Sequence, residues 1–556
     1  MTEHTLHVSL GHNASAAFAL NRRVVRAYEQ ERIDRKKSSS AYPREAIELA
    51  IGEAGYADVA YVSHWFDDLE LKSNKYLDLD HLRGLAPEIV TLSDSFTHHD
   101  AHASSALSFF RSNGGRCEEA DVVVLDGFGT SQECLSVYRA AWPFEGRPRH
   151  VHRTYGYAMS LGLMYQYVTE YLGMKPNQDE YKLLGYESYI LKITNLAIAR
   201  ELRGLVAQDA HKHVDKMLDA TTRPERASGL IDYDALKQAK AAWWKVAEHW
   251  RILFRRDLPE GLARTAVAYC AQWFIEECVV RLVERLLPPT PGRPAPQLVL
   301  AGGCFYNVKL SRRLQQATGR RVFSHPLAGD QGAPLGFTPG LDCAGLNWGA
   351  RVILGRHGQL PPGVEVVDQD AWVARAATLL DSGRIVNVVR GAMEFGPRAL
   401  CNTTTLARPT RDNVARINAL NERDEAMPMA PVLTRKAAMS LFRHDELFDV
   451  SPSDRFMITT VAFDREPPDR LMGVAHNDPL FECWTARPQV VDEGSDMAML
   501  LRHVPDEVLI NTSFNYHGEP IVFTEDDACK THAMQCFRAQ QLGVDHPITL
   551  LVRSES

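Results

Sequence analysis

His98 and His102 stand four positions apart in Thr97-His98-His99-Asp100-Ala101-His102, and Ala103-Ser104-Ser105-Ala106-Leu107 continues the run as a helix. Side chains at i and i+4 share a helix face, so both imidazoles can reach one cation. Val122-Val123-Val124-Leu125 then runs into Asp126-Gly127-Phe128-Gly129, a strand that ends by presenting a carboxylate and a glycine turn. A second such carboxylate, Asp330, sits in Ala328-Gly329-Asp330-Gln331-Gly332. Two imidazoles, two carboxylates and glycine turns able to admit phosphate describe a metal–nucleotide site. Spacing leaves one choice open, because His99 and His102 are three apart and can also share a face.

These residues need elements to carry them. Leu6-His7-Val8-Ser9-Leu10, Ala16-Ala17-Phe18-Ala19-Leu20 and Arg23-Val24-Val25-Arg26-Ala27-Tyr28 read as a β-meander, with Gly11-His12-Asn13 at its first turn. A second strand–turn–strand unit surrounds Asp126, returning along Glu133-Cys134-Leu135-Ser136-Val137-Tyr138. Two hairpins with polar tips suggest a duplicated phosphate-binding architecture, as in the actin and sugar-kinase ATPase fold. A largely helical stretch follows, its clearest helix running from Thr265 to Leu287, with the Trp243-Trp244 pair expected to pack in its core. Gln297-Leu298-Val299-Leu300 is a buried strand opening into Ala301-Gly302-Gly303, a turn that suits close approach of backbone to a nucleotide. The composition shift at Leu360-Pro361-Pro362-Gly363 marks a boundary between residues 1–361 and a second α/β unit at 362–556.

Bulk properties narrow the class. At 556 residues, 45% hydrophobic and 24% charged, the chain is expected to form two or more soluble globular domains. Its 62 basic and 70 acidic side chains, net −8, argue against a nucleic-acid surface. The ten cysteines are scattered with no CxxC pair, so neither a zinc ribbon nor a disulfide scaffold is indicated. The first residues lack an apolar leader segment and no apolar run is long enough to cross a bilayer, which points to the cytoplasm.

In order along the chain, several segments resemble the O-carbamoyltransferases, the family of nodulation protein U and of the cephalosporin and tobramycin-type carbamoyltransferases. They are Gly11-His12-Asn13-Ala14-Ser15-Ala16-Ala17, His98-His99-Asp100-Ala101-His102, Asp126-Gly127, Asp179-Glu180-Tyr181-Lys182, Ala301-Gly302-Gly303 with Asn307, and Gly329-Asp330. The series ends with Glu394-Phe395-Gly396-Pro397-Arg398-Ala399-Leu400, Thr485-Ala486-Arg487-Pro488-Gln489 and Asn511-Thr512-Ser513-Phe514-Asn515. The resemblance implies an actin-like ATPase-type domain like that of the tRNA threonylcarbamoyl transferase, followed by a YrdC-like domain. It implies that ATP and carbamoyl phosphate combine into carbamoyl adenylate in the second domain. The carbamoyl group then passes, in the first domain, to a hydroxyl of a natural-product or sugar acceptor.

By this resemblance a divalent metal, iron(II), is held by His98, His102, Asp126 and Asp330, which selects His98 over His99. Asp126 and His12 take catalytic roles; an ordinary imidazole titrates at about 6.5 and suits removal of the acceptor proton. ATP is assigned to Gly127, Lys182, Gly302, Gly303, Asn307, Asn511, Thr512 and Ser513. Arg398, Arg423 and Arg487 fall to the donor phosphate, for which the planar guanidinium fork is suited.

Departures gather in the second domain. Relatives read Gly-Asn-Arg-Ser where this chain has Cys401-Asn402-Thr403-Thr404, and Asn421 and Met427 stand where the family has a lysine and an arginine. A charge-assisted hydrogen bond contributes roughly 1.5–3 kcal/mol, so an otherwise unchanged donor site would be weakened by orders of magnitude. Two other readings follow. One is a related adenylate-forming acyltransferase or ligase with a different acid donor or an amine acceptor. The other is a nucleotide-binding regulatory partner.

Overall fold

The computed structural model describes the chain apart from residues 1, 65–76, 188–195, 225–230, 254–262, 350–359, 424–428, 444–451, 479–482 and 554–556. It divides into two compact units, the first from Met1–Val25, Ser38–Ala344 and Val450–Pro452, the second from Arg26–Lys37, Gly345–Asp449 and Ser453–Ser556.

The first unit contains two five-stranded sheets with one plan. Strands β1 (His4–Ser9), β2 (Ser15–Leu20), β3 (Arg23–Glu29), β4 (Val59–Ser63) and β5 (Glu88–Thr91) lie in the order β3-β2-β1-β4-β5. Helix α1 (His98–Ser112) leads to the second set: β6 (Glu119–Leu125), β7 (Glu133–Ala141), β8 (Arg149–Tyr155), β9 (Gln297–Ala301) and β10 (Val322–Ser324). Their order is β10-β9-β6-β7-β8. In each sheet the first strand pairs antiparallel with the second and parallel with the fourth, and the fourth pairs parallel with the fifth. The repeat of order and sense is the duplicated architecture expected of an actin-like ATPase-type fold. It sets Gly11-His12-Asn13, after Ser9↔Ser15, and the Asp126 turn, after Leu125↔Leu135, at equivalent hairpin tips.

Side-chain chemistry explains these strands. Val122, Val123, Val124 and Leu125 are all buried, and branched side chains fill a pleated surface covered on both faces. At the end of β9 the chain must pass close to β6. Gly302 has φ +90°, and a Cβ there would lie 2.3 Å from the Leu125 carbonyl oxygen, so only glycine fits. Between the halves of the second sheet, in sequence, lie the helices α2 (Leu196–Asp219), α3 (Tyr233–Leu253) and α4 (Ala263–Leu286). Trp243 is buried as expected. Trp244 is not: it is 38% exposed, its indole N–H donating to the Tyr167 carbonyl and its ring beneath Lys240. Helix α5 (Val308–Thr318) follows β9.

The second unit is built on a seven-stranded mixed sheet of β11 (Val364–Asp368), β12 (Val386–Val389), β13 (Thr403–Ala407), β14 (Ala430–Leu433), β18 (Gln489–Val490), β19 (Val508–Ser513) and β20 (Ile548–Arg553). Its order is β11-β20-β12-β13-β19-β14-β18, and a small sheet of β15 (Val461–Ala462), β16 (His476–Asp478) and β17 (Cys483–Ala486) accompanies it. The sheet is covered by apolar clusters around Trp372, Leu406 and Leu509 and around Ile417, Phe442 and Ile510. Both units are thus α/β. Among the described residues no helix is long and apolar enough to cross a membrane.

Candidate metal centre

The start of α1 presents both imidazoles. Thr97 caps it by accepting from the Asp100 amide, and the Asp100 carboxylate accepts in return from the Thr97 amide, so the first turn is closed reciprocally. The His98 amide donates to Thr130 Oγ1 at 3.1 Å. His98 and His102 are both fully buried, and their Nε2 atoms face each other at 3.1 Å.

Two carboxylates complete the cluster. His98 Nε2 lies 3.5 Å from Asp126 Oδ2 and 3.3 Å from Asp330 Oδ1; His102 Nε2 is 3.6 Å from each. One donor atom from each of the four residues lies within 4.8 Å of every other. Donors held at about 2.1 Å from a shared cation are separated by roughly 3.0–3.4 Å along tetrahedral or octahedral edges. The separations of 3.1–3.6 Å around the two imidazoles lie at or a few tenths of an ångström above that range, so the residues fit a metal ion.

Charge leads to the same place. Burial opposes protonation of His98, yet Asp330 and Asp126 outweigh it and push the imidazole up to about 10. Burial would raise Asp126 and Asp330, but the facing imidazoles, with His12 beside Asp330, hold both carboxyls well below the usual range. This enclosure demands positive charge. Mixed imidazole and carboxylate ligation suits iron(II), manganese or zinc.

His99 points elsewhere: its Nδ1 meets Ser136 Oγ at 2.9 Å, and burial drives its basicity far down. The pair that converges is therefore 98 and 102. His12 approaches the other oxygen of Asp330, Oδ2, at 3.4 Å, with its side chain 46% exposed. It stands at the rim. Asp126 Oδ1 accepts from the amides of Gly127 at 2.9 Å and Gly303 at 3.2 Å, which leaves Oδ2 for the imidazoles.

The remaining sequence-selected residues have varied settings. Asn307 caps α5 through the Leu310 amide and pairs with Gln272 of α4, a partner no motif announced. Lys182 is 3.0 Å from Asp179. In the second unit, Arg423 donates to Thr512 Oγ1 at 2.6 Å and to the Ser513 carbonyl at 2.9 Å, gathering three of the selected residues. Asn511 is buried, accepting from Thr404 and donating to the Ala399 carbonyl and Gln489 Oε1. Arg398 lies on a loop closed by Glu394 Oε1, which accepts from the amides of Leu400, Asn402 and Thr403. Burial and the Arg398 charge bring Arg487 down to about 9. Asn421 is buried, donating to the Ile417 carbonyl and accepting from Gln535, and Thr403 is buried in β13. Met427 lies outside the described residues.

Two family models match the chain in succession. The family model for the carbamoyltransferase N-terminus matches residues 87–338, and that for the carbamoyltransferase C-terminus matches 377–545. An uncharacterised protein of Methanocaldococcus jannaschii is 25% identical over 96% of this chain and 97% of its own. Nodulation protein NolNO of Sinorhizobium fredii is 26% identical over 94% of this chain and 76% of its own. A 3'-hydroxymethylcephem-O-carbamoyltransferase of Amycolatopsis lactamdurans is 30% identical over 48% of this chain and 53% of its own. The four-donor cluster falls wholly within the N-terminal match, the Arg398 and Arg487 segments within the C-terminal one, and the chain belongs to the carbamoyltransferase family.

Proposed function

We propose that this protein is an ATP- and metal-dependent O-carbamoyltransferase acting on a small-molecule hydroxyl. The observation that carries the reading is the buried convergence of His98, His102, Asp126 and Asp330. A divalent cation bound there, iron(II) by resemblance, supplies a Lewis acid for the negative charge that develops as the carbamoyl group is transferred.

The chain's own residues supply the rest. The amides of Gly127 and Gly303 orient Asp126 before any ligand arrives. His12, exposed and steadied by Asp330, takes the proton from the acceptor hydroxyl. In the second unit Arg487 has no carboxylate partner among the described residues, and with Arg398 it holds the donor's phosphate. Thr512 and Ser513 form the polar edge assigned to ATP, and Arg423, assigned to the donor phosphate, hydrogen-bonds both. Water first cleaves carbamoyl phosphate there to carbamate and phosphate; a carbamate oxygen then attacks the α-phosphorus of ATP, forming carbamoyl adenylate and releasing pyrophosphate. The acceptor oxygen then displaces AMP.

A second reading has its own support. Asn421 is buried with its side-chain amide committed to the Ile417 carbonyl and Gln535, so it does not serve as a phosphate ligand. A different carboxylic or carbamic acid is then the donor. Incubating the full chain with ATP and carbamoyl phosphate, or with other acids in turn, and measuring pyrophosphate separates the two. Release with carbamoyl phosphate supports the first reading. Release with another acid alone supports the second.

A further inference from the structure

The ligand imidazoles have an unusual weakness. Histidines that bind metal ordinarily donate their far nitrogen to a carboxylate or carbonyl, which fixes the ring. Here Nδ1 of both His98 and His102 is buried with no hydrogen-bond partner among the described residues. Their placement therefore depends on the backbone of the first turn of α1, and on whatever holds that turn.

One side chain joins it to the neighbouring sheet. Arg153, on β8, sets Nη2 2.5 Å from Asp100 Oδ1 and Nε 2.8 Å from Glu133 Oε1. Asp100 uses its other oxygen to close the capping box on Thr97, so the guanidinium grips the residue that completes the helix start. Glu133 is fully buried at the head of β7. Its Oε1 accepts from Ser136 Oγ at 2.7 Å, which obliges Ser136 to accept from His99 Nδ1–H. His99 thus reaches Arg153 through a continuous chain, and the flanks of His98 are anchored on both sides. Tyr138 lies against the guanidinium, its ring centroid 6.0 Å from Cζ.

We propose that Arg153 is the positioning residue of the candidate metal centre: by tying the first turn of α1 to β7 it keeps the two imidazoles at chelating separation. The inference rests on the metal reading above. Lysine at this place keeps the charge but cannot span both carboxylates, because its donors radiate from one nitrogen. Methionine removes both the hydrogen bond to Asp100 and the ion pair with Glu133.

The test uses Co(II) on the purified full chain, with affinity measured by competition against a chromophoric chelator and folding by circular dichroism and thermal melting. Arg153→Lys is expected to stay folded and to bind Co(II) at least tenfold more weakly, Arg153→Met more weakly again, following the usual 10–100-fold loss when a supporting partner is removed. Arg139→Lys is the control. Arg139 bonds Asp121 at 2.7 Å in the same sheet, and is expected to lower the melting temperature without changing Co(II) affinity. A folded Arg153→Lys that binds within threefold of the parent, while His98→Ala loses Co(II), overturns the positioning role alone. Retention of Co(II) by His98→Ala overturns the metal reading with it.

Discussion

At the level of single residues, Arg487 gives the sharpest expectation for the donor site. A guanidinium that burial and a neighbouring cation have brought down to about 9 is waiting for an anion. Arg487→Gln removes one charge-assisted bond of about 1.5–3 kcal/mol, roughly 10- to 150-fold in affinity. The KM for the acid donor should rise by that factor while Co(II) binding is unmoved. Equal KM values for parent and variant would remove Arg487 from the donor site. Cys401 illustrates why one departure from the family pattern is tolerated. It sits at φ +74°, a left-handed conformation that favours glycine, and its thiol is held between Gln489 and Asn511.

At the level of elements, the turns decide the geometry. Gly302 and Gly127 flank the same carboxylate but differ in freedom: a Cβ at 302 would strike the Leu125 carbonyl, whereas a Cβ at 127 meets nothing within 4 Å. Gly302→Ala should therefore lose well over about 1 kcal/mol of stability, with Gly127→Ala near neutral, as read by denaturant titration. Similar midpoints for the two variants would refute the close approach. The strands and the α1 periodicity were legible because β-branched runs and i, i+4 spacing are local properties. Asp330 was legible as a second carboxylate in a glycine turn, but its pairing with imidazoles more than 200 residues away rested on the resemblance, because it lies on an irregular turn with no periodic signature. Nor did local sequence show that Asn307 and Asn511 spend their amides on Gln272 and Gln489, partners contributed by elements far away in the chain. Arg153 escaped notice for the same reason: a lone arginine in a strand has no periodic signature.

On the scale of the whole molecule, the first unit should be sensitive to acid. His7 is fully buried, its Nδ1–H donating to the Pro334 carbonyl at 2.9 Å while Nε2 accepts from Thr5. Burial, only partly offset by that carbonyl, lowers its pKa to about 4. His213, against Trp243 and Phe274, is likewise lowered to about 4, chiefly by burial. Both are neutral when folded, whereas the unfolded chain takes up protons below about 6.5. Stability is then full above that pH and declines as pH falls toward 4, by about 3 kcal/mol for His7 alone. His7→Gln should flatten the decline of the melting temperature between pH 6.5 and 4.5; an unchanged slope would show that His7 does not contribute.

The amide chain beneath Asn421 carries a consequence for engineering. Asn421 accepts from Gln535, whose own oxygen accepts from Asn387, which in turn accepts from Thr405. Introducing an ammonium by a single Asn421→Lys swap would strand the Gln535 donor and bury a cation among groups already hydrogen-bonded. Placing a lysine at 421 therefore requires recoding at least two positions together, so the amide lattice acts as a latch against single substitution there.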